Sequence, residues 1–154
     1  MKSLQALMAA ATLACVQPAQ AATTDPEIII YRASGVIDTG TAASTGTATV
    51  IHCTNVSTVA ENVRFVVRNF NSVIATNQVS PVPSFQTLTV STHFTNLYDG
   101  AILSPGTTIL GTVAIAATTS NVFCTARTVD ASASVPSGIV LPMVRFNPMA
   151  GGEE

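Results

Sequence analysis

From Glu27 onward the chain repeats one pattern: short runs in which apolar and polar residues alternate, punctuated by Gly, Pro, Asn and Asp. Alternation with period two puts successive side chains on opposite faces of an extended strand, and no helical period competes with it after the first 21 residues. The runs read as strands over Glu27–Ala33, Thr47–Asn55, Asn62–Phe70, Val73–Val79, Phe85–Phe94, Thr107–Ala117, Val122–Asp130 and Ile139–Phe146. Asn71-Ser72 has the chemistry of a hairpin turn, and Pro81 and Pro83 break the fourth run. Gly35 to Gly46, Asn96 to Gly106 and Ser132 to Gly138 read as loops. Gly111 marks a bulge; Pro142, which lacks an N–H, puts the last run at an edge or a bulge. The alternation assigns Thr49, Ile51 and Cys53 to one face, with Val50 and His52 on the other. By the same rule Val63, Phe65 and Val67 face together, as do Leu88, Val90 and Phe94, then Ile109, Val113 and Ile115, then Val122, Cys124 and Ala126.

The start of the chain is of a different kind. Lys2 gives a short positive segment, Leu4 to Ala14 is almost wholly apolar, and Pro18 precedes Ala19-Gln20-Ala21, a small-x-small cleavage pattern. That is a secretory signal peptide over residues 1–21, too short to span a bilayer. It leaves one β-domain over 22–150 and a polar tail at 151–154. Export places the domain in a bacterial periplasm or outside the cell. A secondary alternative rests on Thr12-Leu13-Ala14-Cys15, which is close to a lipoprotein box and would anchor the chain by a lipid on Cys15.

Removal of the signal takes Cys15 with it and leaves Cys53 and Cys124. An isolated pair in an oxidising compartment is expected to bond. Each cysteine shares a face with apolar residues, so the bond is expected in the core, joining two sheets, with a structural role. Closing a loop of this length stabilises by about 4 kcal/mol in the chain-entropy account.

Charged residues are 9% of the chain, against about 25% in an average globular protein. After residue 21 there are five arginines, eight acids and no lysine. The absence of a basic patch argues against nucleic acid and anionic membrane as partners. The absence of lysine removes Schiff-base and catalytic-lysine chemistry. No later segment is apolar enough for a transmembrane helix. About eight short strands at hairpin spacing fit an all-β, antiparallel sandwich, and a cysteine on the second and the penultimate strand resembles the immunoglobulin-like arrangement. Two hallmarks of that arrangement are missing: the chain has no tryptophan, and Val122 stands where a tyrosine would precede the second cysteine. A membrane barrel fits less well, because the chain is short for eight tilted spanning strands and lacks aromatic girdles.

Candidate chemistry is sparse. No G-x-S-x-G, H-E-x-x-H, glycine-rich phosphate loop or EF-hand loop occurs. His52 and Cys53 fall on opposite faces of one strand and do not share a ligand. His93 with Asp99 or Asp130 is a possible catalytic or metal-binding group. Asp38, Asp99 and Asp130 would bind calcium only if the fold converged them. Met143 reads as core packing; Arg64 and Arg68, on one face of a strand, could grip a carboxylate, but they read first as solvating an outer face. Asn55-Val56-Ser57 is a glycosylation sequon in form. No catalytic residue, metal site or cofactor is assigned.

Ile51-His52-Cys53-Thr54-Asn55, Asn62-Val63-Arg64, Phe123-Cys124-Thr125-Ala126 and Leu141-Pro142-Met143-Val144-Arg145-Phe146-Asn147-Pro148 together resemble a group of small exported bacterial proteins of uncharacterised function. The resemblance implies export and a cysteine pair and brings no activity. The signal, the cysteine pair and the threonine-rich strands also resemble chaperone-assembled pilus subunits, although the cysteine spacing is wide and no donor-strand extension is evident. The expected function is a non-enzymatic structural or interaction module of the cell envelope or extracellular space, with a protein partner or a homo-oligomer. Val50, Val66, Phe123 and Val129, apolar residues on outward faces, are the expected contact surface. The alternative is a small periplasmic metal-binding protein or hydrolase using His52, His93 and a nearby acid.

Overall fold

A computed structural model describes residues 28–98 and 100–146, apart from the side chain of Ile109. The signal peptide assigned to 1–21, Cys15, Glu27, Asp99 and the polar tail lie outside the described residues. The strands are β1 (Ile28–Asp38), β2 (Thr47–Asn55), β3 (Glu61–Arg68), β4 (Ile74–Val82), β5 (Thr87–Ser91), β6 (Ala101–Ile102), β7 (Thr108–Ala117), β8 (Val122–Asp130), β9 (Ile139–Leu141) and β10 (Met143–Arg145). There is no helix among the described residues.

All ten strands belong to one continuous sheet. One half runs β4-β3-β7-β1-β10 and the other β9-β8-β2-β5-β6. A single register pair, Asp38 with Ala48, connects them where β1 hands over to β2. Every strand pairing is antiparallel except β5 with β6. β1 slips register against β7 at three places, between Ile29 and Tyr31, Ser34 and Val36, and Val36 and Asp38. Gly35 takes φ 86° at the second of these. Irregularities of this kind bend a strand and increase its twist, and here they curl the sheet on itself.

The curl encloses one core. Ile30, Val36, Val63, Phe65, Val67, Val113 and Ile115 from the first half meet Ile51, Cys53, Val90, Val122, Cys124 and Leu141 from the second. Burial of each large apolar side chain stabilises by roughly 1.5–3 kcal/mol. The faces assigned by alternation hold: Thr49, Ile51 and Cys53 are inward, as are Val63, Phe65 and Val67, and Val122, Cys124 and Ala126. Phe94 is the exception. β5 ends at Ser91, and Phe94 lies exposed in the segment beyond it.

That segment accounts for another departure. Residues 92–98 fold back over the outer face of β2, with Thr92 N donating to Thr49 O and Asn96 N to Ala131 O. Ala48, Val50, Val129 and Ala131 form a second small cluster against Tyr98. Val50 and Val129, expected on a contact surface, are therefore buried within the chain; of the four expected contact residues only Phe123 is exposed, with Val66 half-buried.

The all-β expectation is met, but the arrangement is a curled ten-stranded sheet and not a pair of separate antiparallel sheets with about eight strands. The disulfide joins neighbouring strands of one half instead of bridging two sheets. Alternation reports which face a residue occupies; it does not report which strand lies beside it. Pro81 sits within β4, opposite Asn62, where an edge strand tolerates a missing donor. Pro142 separates β9 from β10. The chain leaves β8 at Leu141 and joins β1 at Met143, so this seam strand spans both halves of the sheet.

Candidate functional site

Cys53 and Cys124 are direct register partners on β2 and β8, bonded, with Cα atoms 4.1 Å apart. The short spacing is that of a non-hydrogen-bonded antiparallel pair, in which side chains approach most closely. Both residues are buried in the core. A disulfide so enclosed is shielded from an attacking thiolate. Its presence is consistent with an oxidising compartment. Among the described residues no helix is long and apolar enough to cross a membrane.

His52 lies on the opposite face of β2 from Cys53, as the alternation required. Its Nδ1 is 2.9 Å from Thr89 Oγ1 on the adjacent β5. Its ring meets Tyr98 edge-on at 5.3 Å between centroids. Arg127 donates through Nη1 to the Tyr98 hydroxyl at 3.2 Å. Burial, and then the charge of Arg127, hold the pKa of His52 below the ordinary 6.5. A neutral imidazole is thereby favoured, and its polar contacts are a threonine hydroxyl and an aromatic ring.

His93 stands elsewhere, in the segment that follows β5. Its Nδ1 is 2.7 Å from Asp38 Oδ1, and its Nε2 is 2.8 Å from Thr45 O. A carbonyl only accepts, so Nε2 carries the proton in that contact. The acid beside His93 is thus Asp38 and not Asp130; Asp99 lies outside the described residues. Asp130 is bound into its own turn by the Ser132 hydroxyl and the Ser132 N–H, which lower its pKa in that order. In a hydrolytic triad the second histidine nitrogen faces the nucleophile. Here it is committed to a backbone carbonyl, and the pair ties the β1–β2 loop to the segment after β5. Ser44 N donating to Phe94 O reinforces that tie. Asp38 is buried, and no cluster of three His, Cys, Asp or Glu side chains that could hold a metal ion occurs among the described residues.

The other residues singled out by sequence are placed as follows. Asn55 is buried, its Nδ2 directed at Val59 O, Val82 O and Pro83 O, so the sequon asparagine is part of the fold. Met143 packs against the core. Arg64 and Arg68 share the outer face of β3, and Arg68 donates to Ser72 O.

Two features were not anticipated. The seam strand exposes Ile139 (78%), Val140 (74%), Val144 (61%) and Phe146 (52%) to solvent. A clue was available in the consecutive apolar residues around Pro142, more than one buried face of a strand can absorb. The second feature is a groove beside Arg32, lined in part by this same strand. No protein-family model, curated protein or solved structure matches the chain.

Proposed function

We propose that the chain is an exported, non-enzymatic structural or interaction module of the cell envelope or extracellular space, and that its contact surface is the seam strand. The observation that carries this is the run of exposed apolar side chains on β9, β10 and Phe146. Among the described residues β9 pairs only with β8 and β10 only with β1, so within them each has an open backbone edge beside those side chains. An open edge flanked by apolar residues is the feature that strand addition uses: backbone groups supply affinity and side chains supply specificity. No lysine occurs among the described residues to guard it. The occupant is a protein strand, either from a second copy of this chain or from an envelope partner.

Charge placed on the seam tests the idea. Ile139→Asp and Val140→Asp alter side chains already in water and leave the core intact. Sedimentation velocity on the protein recovered from exporting cells, with cross-linking in those cells, should show an assembly that both variants abolish. A wild-type protein that stays monomeric and gives no cross-linked product would overturn the reading. So would assembly that survives both substitutions.

A further inference from the structure

The outer face of the half-sheet β4-β3-β7-β1-β10 gathers three of the arginines. The register fixes their places. Arg64 lies opposite Ala116 of β7, Arg68 opposite Thr112, and Val66 opposite Ala114. Across β7, Ala114 is opposite Arg32 of β1 and Thr112 is opposite Ser34. Arg32 is in turn opposite Val144 of β10. Small side chains on β7 therefore floor a shallow trough with Arg64 and Arg68 on one bank and Arg32 on the other.

No acid serves these cations among the described residues. Asp38 and Glu61 are buried, and Asp130 is bound within its own turn on the other half of the sheet. Among the described residues Arg32 has no hydrogen-bond or ion-pair partner; its guanidinium rests 5.7 Å from the centre of the Phe146 ring. Arg64 Nε is buried without a partner. Beside Arg32 the surface sinks into a groove of about 380 Å³. Arg32, Ser34 and Thr112 line one part of it, and Pro142, Val144 and Phe146 another.

We propose that this groove binds a small amphipathic carboxylate. Arg32 takes the carboxylate, Ser34 and Thr112 offer hydroxyl donors beside it, and the apolar body lies along Pro142, Val144 and Phe146. Three observations converge on that ligand class. The volume lies in the range of small-molecule sites, about 300–1,000 Å³. The lining divides into a cationic, hydroxyl-bearing part and an apolar part. An arginine without an acidic partner, seated against an aromatic ring, keeps its planar fork available for a bidentate anion. The groove shares Val144 and Phe146 with the seam surface, while Arg32, Ser34 and Thr112 belong to the groove alone.

Octanoate is the probe, with octanol and octylammonium as comparators, followed by two-dimensional NMR on the isotopically labelled protein. Octanoate should give saturable shifts at the backbone amides of Ser34, Thr112 and Val144, and the comparators should not. Arg32→Gln should weaken octanoate at least tenfold, while Arg127→Gln, on the other half of the sheet, should leave it unchanged. Val144→Glu provides a second route: it sets a carboxylate in the register position facing Arg32 and should block octanoate with the arginine intact. Unperturbed amides elsewhere in the spectrum verify that each variant is folded. Equal binding of octanol, undiminished binding by Arg32→Gln, or no saturable shift in the wild type would each overturn the proposal. So would tighter binding of a glutamate-rich peptide, which would make the trough a surface for acidic protein segments. The seam variants Ile139→Asp and Val140→Asp do not touch this groove, so the two readings fail separately.

Discussion

At the scale of single residues, both histidines are used by the fold, and they are used differently. His93 makes two polar contacts across a loop, whereas His52 is half-buried against Tyr98 with a cation beside it. The lowered pKa of His52 has a thermodynamic consequence. Below 6.5 the unfolded chain takes up a proton that the folded chain resists, so the unfolded state binds more protons. Stability from this residue is therefore complete above 6.5. It falls as pH drops through that value and levels off only below the folded pKa. His52→Phe keeps an aromatic ring against Tyr98 and cannot titrate. Urea unfolding at a series of pH values should show wild type losing stability relative to His52→Phe as the solution is acidified from neutral. Parallel profiles would mean that His52 titrates in the fold as it does in the unfolded chain.

At the scale of elements, Asn55 shows how the strand ends are held. It closes β2, accepts from Ser57 N at 2.8 Å, and directs Nδ2 at carbonyls of Val59, Val82 and Pro83. One side chain thus ties the end of β2 to the following loop and to the end of β4. Asn55→Ala should cost about 2 kcal/mol, because buried carbonyls lose their donor. Asn55→Asp should cost more, since it sets a carboxylate oxygen against the same carbonyls. Urea denaturation orders the two, and Asp as the milder change would refute this account. The sequence displayed β2 and β8 with their observed limits, because both alternate without interruption between turn signals. It displayed β1 too short: Gly35 reads as a loop residue, yet here it is a bulge inside an eleven-residue strand. β6 was invisible, since two residues carry no period. Pro142 was recognised as a disruption, but the change of strand partner that it permits is a tertiary fact. The candidate sites follow the same division. Alternation separated His52 from Cys53 correctly. The pairing of His93 with Asp38, and of Arg32 with the face bearing Arg64 and Arg68, depends on strand neighbours that no local pattern specifies.

At the scale of the whole molecule, the disulfide and the curl do separate jobs. The two halves of the sheet are continuous through one register pair, Asp38 with Ala48, and the bond between Cys53 and Cys124 lies wholly within one half. What holds the halves together is the shared core, in which Phe65 and Ile115 from one half belong to the same cluster as Ile51 and Val122 from the other. Removing the disulfide should therefore weaken the protein without dividing it. The Cys53→Ala, Cys124→Ala double variant loses a cross-link over 71 positions, worth about 4 kcal/mol in the chain-entropy account. The loss should appear as a lower melting temperature with one cooperative transition retained, because neither half can bury its inner face alone. Calorimetry measures both quantities together, and a thiol assay on the folded wild type should find no free cysteine. Two resolved transitions in the variant would show that the halves are separate folding units and that the cross-link, not the core, couples them. Free thiol in the folded wild type would show that Cys53 and Cys124 are not bonded to each other, and that the core alone holds the fold.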